Sequence, residues 1–202
     1  MEADSLNCIV LAEDVSPGKP EWDIFIKEVR KEMTSKAGQK CTAIRRIFVP
    51  ENKMEEVWKA ISKALDQTTI GNPLNEKVRM GSLAGQGQRK AVKTQVEKLL
   101  ASSQIIYGSL DSVELIDADA VNGAFISPLL LLNEKPFINN EAHEIEAFGP
   151  VSTIMPYKNM DDAIELSKKE KALCVLPLLL QIIKSRSNMC GELLPIMAGY
   201  WY

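Results

Sequence analysis

The sequence predicts an α/β fold, a mostly parallel sheet flanked by helices, and three observations carry that expectation. Short β-branched or apolar runs alternate along the chain with segments whose apolar residues recur every three or four positions. The segments between strands are long enough to hold crossover helices, as parallel pairing requires. At 202 residues, 46% hydrophobic and 25% charged, the chain has the composition of a folded globular domain.

The first strand is expected at Asn7 to Ala12, closed by a turn at Ser16, Pro17 and Gly18. From Glu21 to Ala37, Trp22, Phe25, Ile26, Val29 and Met33 share one helical face, and Gly38 follows as a C-terminal cap. Ala43 to Val49 reads as a strand stopped by Pro50, and Met54 to Leu65 as a helix with Val57, Trp58, Ile61 and Leu65 inward. A helix over Gln86 to Leu100 buries Val92, Val96 and Leu99, and a strand at Gln104 to Tyr107 follows. Phe125 to Leu132 is a further strand, with Pro128 placing it at an edge or marking where it begins. Val151 to Pro156 is a strand, and Met160 to Lys168 a helix whose Asp161 and Asp162 suit its dipole.

Charge and motif patterns exclude several functions. The net charge of −3 provides no broad basic surface for nucleic acid or anionic membrane. The most apolar run, Cys174 to Ile183, is shorter than the roughly 18–20 residues of a membrane span, and no signal peptide is evident, so the expected location is cytoplasmic. Cysteines at 8, 41, 174 and 190 with the single histidine, His143, make no zinc pattern, and no metal is expected. His143 sits among Glu141, Glu144 and Glu146 and reads as a surface residue. The glycines of Gly81 to Gly87 match neither a dinucleotide fingerprint nor a P-loop and read as a turn.

Cys41 lies just past a capped helix and before a buried strand, with Lys40 beside it. A thiol in such a turn is either buried and inert or a nucleophile of lowered pKa. Cys8, inside its apolar strand, is expected to be inert. The segment Gly38-Gln39-Lys40-Cys41-Thr42-Ala43 resembles the nucleophile motif of the aldehyde dehydrogenase superfamily. Roughly forty residues upstream, Glu2 opens a segment similar to the family's general-base motif; about a hundred downstream, Glu146 to Val151 (EAFGPV) matches its Glu-x-Phe-Gly-Pro-Val signature. The order of the three motifs makes the resemblance specific, and their wording is closest to the branch of phenylacetate degradation fused to a MaoC-like hydratase.

The resemblance implies that residues 1–174 are the catalytic domain of an NAD- or NADP-dependent aldehyde dehydrogenase. Cys41 would attack the aldehyde and Glu2 would activate the hydrolytic water. Glu146 would hydrogen-bond the nicotinamide ribose, and Phe148 would pack beside the nicotinamide. The implied partner is a small aldehyde, in this branch a semialdehyde CoA thioester, and family members are homo-oligomers. The family's cofactor domain and oxyanion asparagine have no counterpart in the 202 residues, so the chain alone is expected to bind no cofactor and to be nearly inactive. A non-catalytic interaction module and a cofactor-independent thiol esterase are the competing readings.

The resemblance stops at about Cys174, and residues 175–202 are expected to be a non-native tail. Read one base out of phase, Met189-Cys190 must encode Val and Met197-Ala198 must encode Gly. With permitted synonymous codons, Gln181 onward becomes DNKIAKQYV and Gly191 onward GAASHHGRILV, both similar to the family's continuation.

Overall fold

The computed structural model describes residues 5–169 and the backbone of 181–183. One six-stranded sheet organises them. Its strands are β1 (Cys8–Leu11), β2 (Arg46–Pro50), β3 (Gln104–Tyr107), β4 (Leu129–Leu132), β5 (Val151–Tyr157) and β6 (Gln181–Ile183), in the spatial order β3-β4-β5-β2-β1-β6. All neighbours are parallel except β3 and β4, so the mostly parallel sheet expected from the sequence is what forms. The helices are α1 (Pro20–Thr34), α2 (Met54–Leu65), α3 (Gln86–Leu99), α4 (Glu141–Glu144) and α5 (Met160–Ser167).

Strand alternation sends side chains to two separate cores, one on each face of the sheet. Ile9, Leu11, Ile47, Val49, Leu130, Leu132 and Ile154 meet α1 through Phe25, Val29 and Met33, and α2 through Val57, Ile61 and Leu65. Val10, Phe48, Leu129, Leu131 and Met155 face the other way, onto Val92 and Val96 of α3 and Ala163 and Leu166 of α5. Both faces of the central strands are therefore covered, which is why β1 and β4 are apolar at every position.

Three expectations need correction. The first helix ends at Thr34, because Lys36 and Ala37 adopt left-handed dihedrals (φ 53° and 52°) in the following turn. Of the run Phe125 to Leu132 only the last four residues pair as a strand; Phe125 and Ile126 are buried without pairing, and Pro128 marks the start of an interior strand. His143 is not on the surface but 1% exposed. Its Nε2 lies 3.0 Å from the Pro136 carbonyl and its Nδ1 3.2 Å from Nη1 of Arg46, itself fully buried. This pairing fits the tautomer in which Nε2–H donates to Pro136 and Nδ1 accepts from Arg46.

Lys36 gives a direct test of the strained turn. Left-handed dihedrals cost a residue with a Cβ about 1 kcal/mol, and asparagine tolerates them better than lysine. Lys36→Asn is expected to stabilise the fold by roughly 0.5–1 kcal/mol, read as a rise in melting temperature. An unchanged or lower melting temperature would refute the strain.

Candidate active site

Two loops meet at the start of β2. The first, residues 38–45, carries Cys41 from the left-handed turn after α1 into β2. The second, residues 146–149, joins α4 to β5. They touch because Gly38 packs directly on the Gly149–Pro150 backbone, at φ +69°, with no room for a Cβ.

Cys41 is exposed, whereas Cys8 is buried in β1 as expected. The Cys41 loop is held from the segment leading into β1, where Asn7 Nδ2 donates to the carbonyls of Cys41 (2.6 Å) and Ala43 (3.3 Å). Lys40, expected to favour the Cys41 thiolate, is instead paired with Glu32 at 2.7 Å, so its charge is largely spent there.

Glu146 is buried, its side chain 6% exposed. Its Oε1 accepts from Arg45 Nε and its Oε2 from the Ser5 backbone N–H, each at 3.0 Å. Arg45 also donates through Nη1 to the Gly149 carbonyl (2.6 Å) and through Nη2 to the Gly38 carbonyl (2.8 Å). Its guanidinium lies 5.6 Å from the centroid of Phe148, in cation–π range. Burial lowers the Arg45 pKa from its ordinary value, and Glu146 acts in the opposite direction.

Beyond Phe148 opens a cleft of about 440 Å³, bounded by Lys36, Ala37 and Gln39 on one side and Gly81, Ser82, Ala84 and Gln88 on the other. Gln39 spans it, its Oε1 accepting from the Ala84 N–H at 2.8 Å. The glycine-rich segment, expected as a turn, is an irregular loop with a bend at Ala84 as far as Gly85, and Gly87 already belongs to α3. Of the four residues singled out in the sequence, Phe148 lines this cleft, Glu146 sits behind it, and Cys41 stands on the adjoining loop. Glu2, like Cys174 and Cys190, lies outside the described residues. Among the described residues no group of His, Cys, Asp or Glu could hold a metal ion, and no helix is long and apolar enough to cross a membrane.

Arg45, Asn7 and Gln88 escaped the sequence reading. Arg45 did have a signal: two consecutive arginines at the head of an otherwise apolar buried strand must each find partners.

The sequence profile of the aldehyde dehydrogenase family matches residues 11–171. The chain belongs to the aldehyde dehydrogenase family. It is 37% identical over 198 residues to a 3,4-dehydroadipyl-CoA semialdehyde dehydrogenase of Aromatoleum evansii, an alignment covering 98% of this chain and 38% of that protein. The chain thus spans well under half the length of that relative. Two solved aldehyde dehydrogenase structures show the same fold at 20% identity and a TM-score of 0.71. The NADP-dependent glyceraldehyde-3-phosphate dehydrogenase of Bacillus halodurans C-125 covers 91% of this chain and 34% of its own. The succinic semialdehyde dehydrogenase of Streptococcus pyogenes covers 83% and 34%. The Bacillus structure is a complex with NADP, and the Streptococcus structure a complex with NADP⁺ as the cofactor.

Proposed function

We propose that this chain carries the catalytic region of an NAD- or NADP-dependent aldehyde dehydrogenase, with Cys41 as the nucleophile. The observation that carries the reading is an exposed thiol on a loop pinned against the segment that places Phe148 on the cleft. Cys41 Sγ adds to the aldehyde carbon to give a thiohemiacetal, and loss of hydride leaves a thioester on Sγ. Water then hydrolyses the thioester to the acid, with Glu2 taking the proton from that water. The nicotinamide cofactor, when bound, supplies the hydride acceptor.

The cleft suits the nicotinamide end of such a cofactor. Phe148 offers an aromatic wall, while Gln39, Ser82 and Gln88 offer hydrogen-bonding groups, the mixture typical of a small-molecule site. Glu146 would reach a ribose hydroxyl only alongside its bonds to Arg45 and Ser5, and Phe148 would pack against the ring. The 202 residues by themselves are expected to bind cofactor poorly and to turn over slowly. The Aromatoleum relative supports a semialdehyde CoA thioester as the substrate class.

Assay of aldehyde-dependent NAD(P)H formation tests the reading. Cys41→Ala is expected to remove whatever turnover is present, by more than about a thousandfold for loss of a covalent nucleophile. Turnover that survives the substitution would overturn it. Ester hydrolysis without cofactor that depends on Cys41 would instead favour the thiol esterase.

We also propose that residues 1–174 form the catalytic domain and that residues 175–202 are read out of phase. A profile match ending at residue 171 supports the boundary. Gln181–Ile183 pair in parallel with β1, and the Aromatoleum alignment extends over this segment, so the coding DNA is the deciding measurement. A one-base shift after about codon 174 is expected to restore the family continuation; codons incompatible with DNKIAKQYV would defeat the proposal.

A further inference from the structure

We propose that Arg45 is a positioning residue, clamping the Cys41 loop to the 146–149 segment so that both hold one fixed geometry. The functional part rests on the reading of Cys41 and Glu146 given above.

The guanidinium is a planar fork whose donors point in fixed directions, and here each of its three nitrogens donates a hydrogen bond. Nη2 holds Gly38 at the start of the Cys41 loop, while Nε and Nη1 hold Glu146 and Gly149 at the two ends of the second segment. The residue belongs to the Cys41 loop by sequence and to the second segment by contact, 101 positions away. At 4% exposure it is shielded from competing water, and its flat face lies over Phe148, the one member of that segment that reaches the cleft. A lysine ammonium keeps the charge but cannot reproduce the fork.

The neighbouring arginine supplies the contrast. Arg46 is more deeply buried and just as well bonded, but its partners include the carbonyls of Leu6, Leu166 and Ser167 and the ring of His143. None of these lines the cleft or lies in the Cys41 loop. Two consecutive side chains, one just before β2 and one at its first position, thus serve different ends: Arg46 secures the α5 side of the core, and Arg45 joins the two loops of the site.

The test uses the full chain with Cys174→Ser and Cys190→Ser, so that exposed-thiol labelling reports Cys41. Hydrogen exchange followed by mass spectrometry is compared across wild type, Arg45→Met, Arg45→Lys and Arg46→Met. The concentration of NAD⁺ or NADP⁺ that half-protects Cys41 from iodoacetamide is measured alongside. Arg45→Met is expected to speed exchange in residues 39–44 and 146–149 together by about tenfold or more, leaving α2 unchanged, as release of a local unit does. It is also expected to raise the half-protecting concentration by at least about tenfold, and Arg45→Lys to recover part of that loss. Arg46→Met should loosen the α5 side without separating the two loops.

Faster exchange in only one loop, or uniformly through the fold, would overturn the proposal, as would the same pattern in Arg46→Met. If Arg45→Met does not fold, Arg45→Met/Glu146→Leu removes the stranded carboxylate and carries the same exchange comparison. If neither dinucleotide protects Cys41 in the wild-type background, the weak cofactor binding expected of these 202 residues lies below detection, and the exchange pattern alone decides the role of Arg45.

Discussion

Gly38→Ala is expected to be among the most damaging single substitutions in the chain. At φ +69° an alanine carries the left-handed penalty of about 1–2 kcal/mol. The larger cost is steric, because the new Cβ would overlap the Gly149 carbonyl oxygen, with the Gly149 carbon at 2.5 Å and the Pro150 nitrogen at 2.8 Å. Those atoms are backbone held by the start of β5, so relief requires the two loops to part. Strain of this kind adds about 1–3 kcal/mol, for a total of about 2–5 kcal/mol, a large share of the roughly 5–15 kcal/mol of an ordinary domain. Gly18→Ala is the matched control, since Gly18 has φ +85° with nothing within 4 Å of a new Cβ. It is expected to cost only about 1–2 kcal/mol. Urea unfolding of both variants separates the contributions; equal losses would show that the Gly38–Gly149 contact carries no cost of its own.

Acid should destabilise the fold through His143. Burial, and then the nearby Arg46 cation, hold its pKa down to about 4, against an ordinary 6.5, while the Pro136 carbonyl and Glu144 pull upward and Lys169 adds to the depression. The folded state therefore favours the neutral ring. The unfolded chain takes up a proton first as pH falls, so the stabilisation is complete above about pH 6.5 and is lost progressively between 6.5 and 4. At about 1.4 kcal/mol per unit, the loss approaches about 3 kcal/mol. Carboxylates held below their usual range, such as Glu141 and Asp119, also weaken the fold in acid, but through windows centred lower. His143→Gln retains a donor and an acceptor without the titration. Denaturant unfolding from pH 8 to 4.5 should slope steeply for wild type and far less for His143→Gln; parallel curves would assign the acid sensitivity elsewhere.

How much of this was readable beforehand differs from element to element. α2 runs over the residues its periodicity indicates, because Val57, Ile61 and Leu65 fall one turn apart and all reach the core. α1 stops three residues before its apolar pattern suggests, since left-handed dihedrals at Lys36 and Ala37 leave no trace in hydrophobicity. The direction of β3 relative to β4 is a matter of how the chain returns, which composition does not encode. His143 was misplaced because its immediate neighbours are acidic, while its burial is decided by Arg46, 97 positions away. Cys41 was conspicuous through its motif, yet the side chains that hold its loop, Asn7 and Arg45, act through long-range bonds that local pattern cannot reveal.

The order of strands also bears on how the molecule assembles. β1, α1, β2 and α2 are consecutive in the chain and adjacent in space, but β2 pairs on its other side with β5, joining Arg46 to Thr153 across the intervening α2, α3, β3, β4 and α4. Closing a loop of that size carries an entropy penalty of about 4 kcal/mol, returned only when β5 zips against β2. The bonds from Arg45 to Glu146 and Gly149 lie beside that seam and cannot form until it closes. Cys41 therefore acquires its fixed surroundings only as β5 closes onto β2, which ties the chemistry of the thiol to the integrity of the sheet.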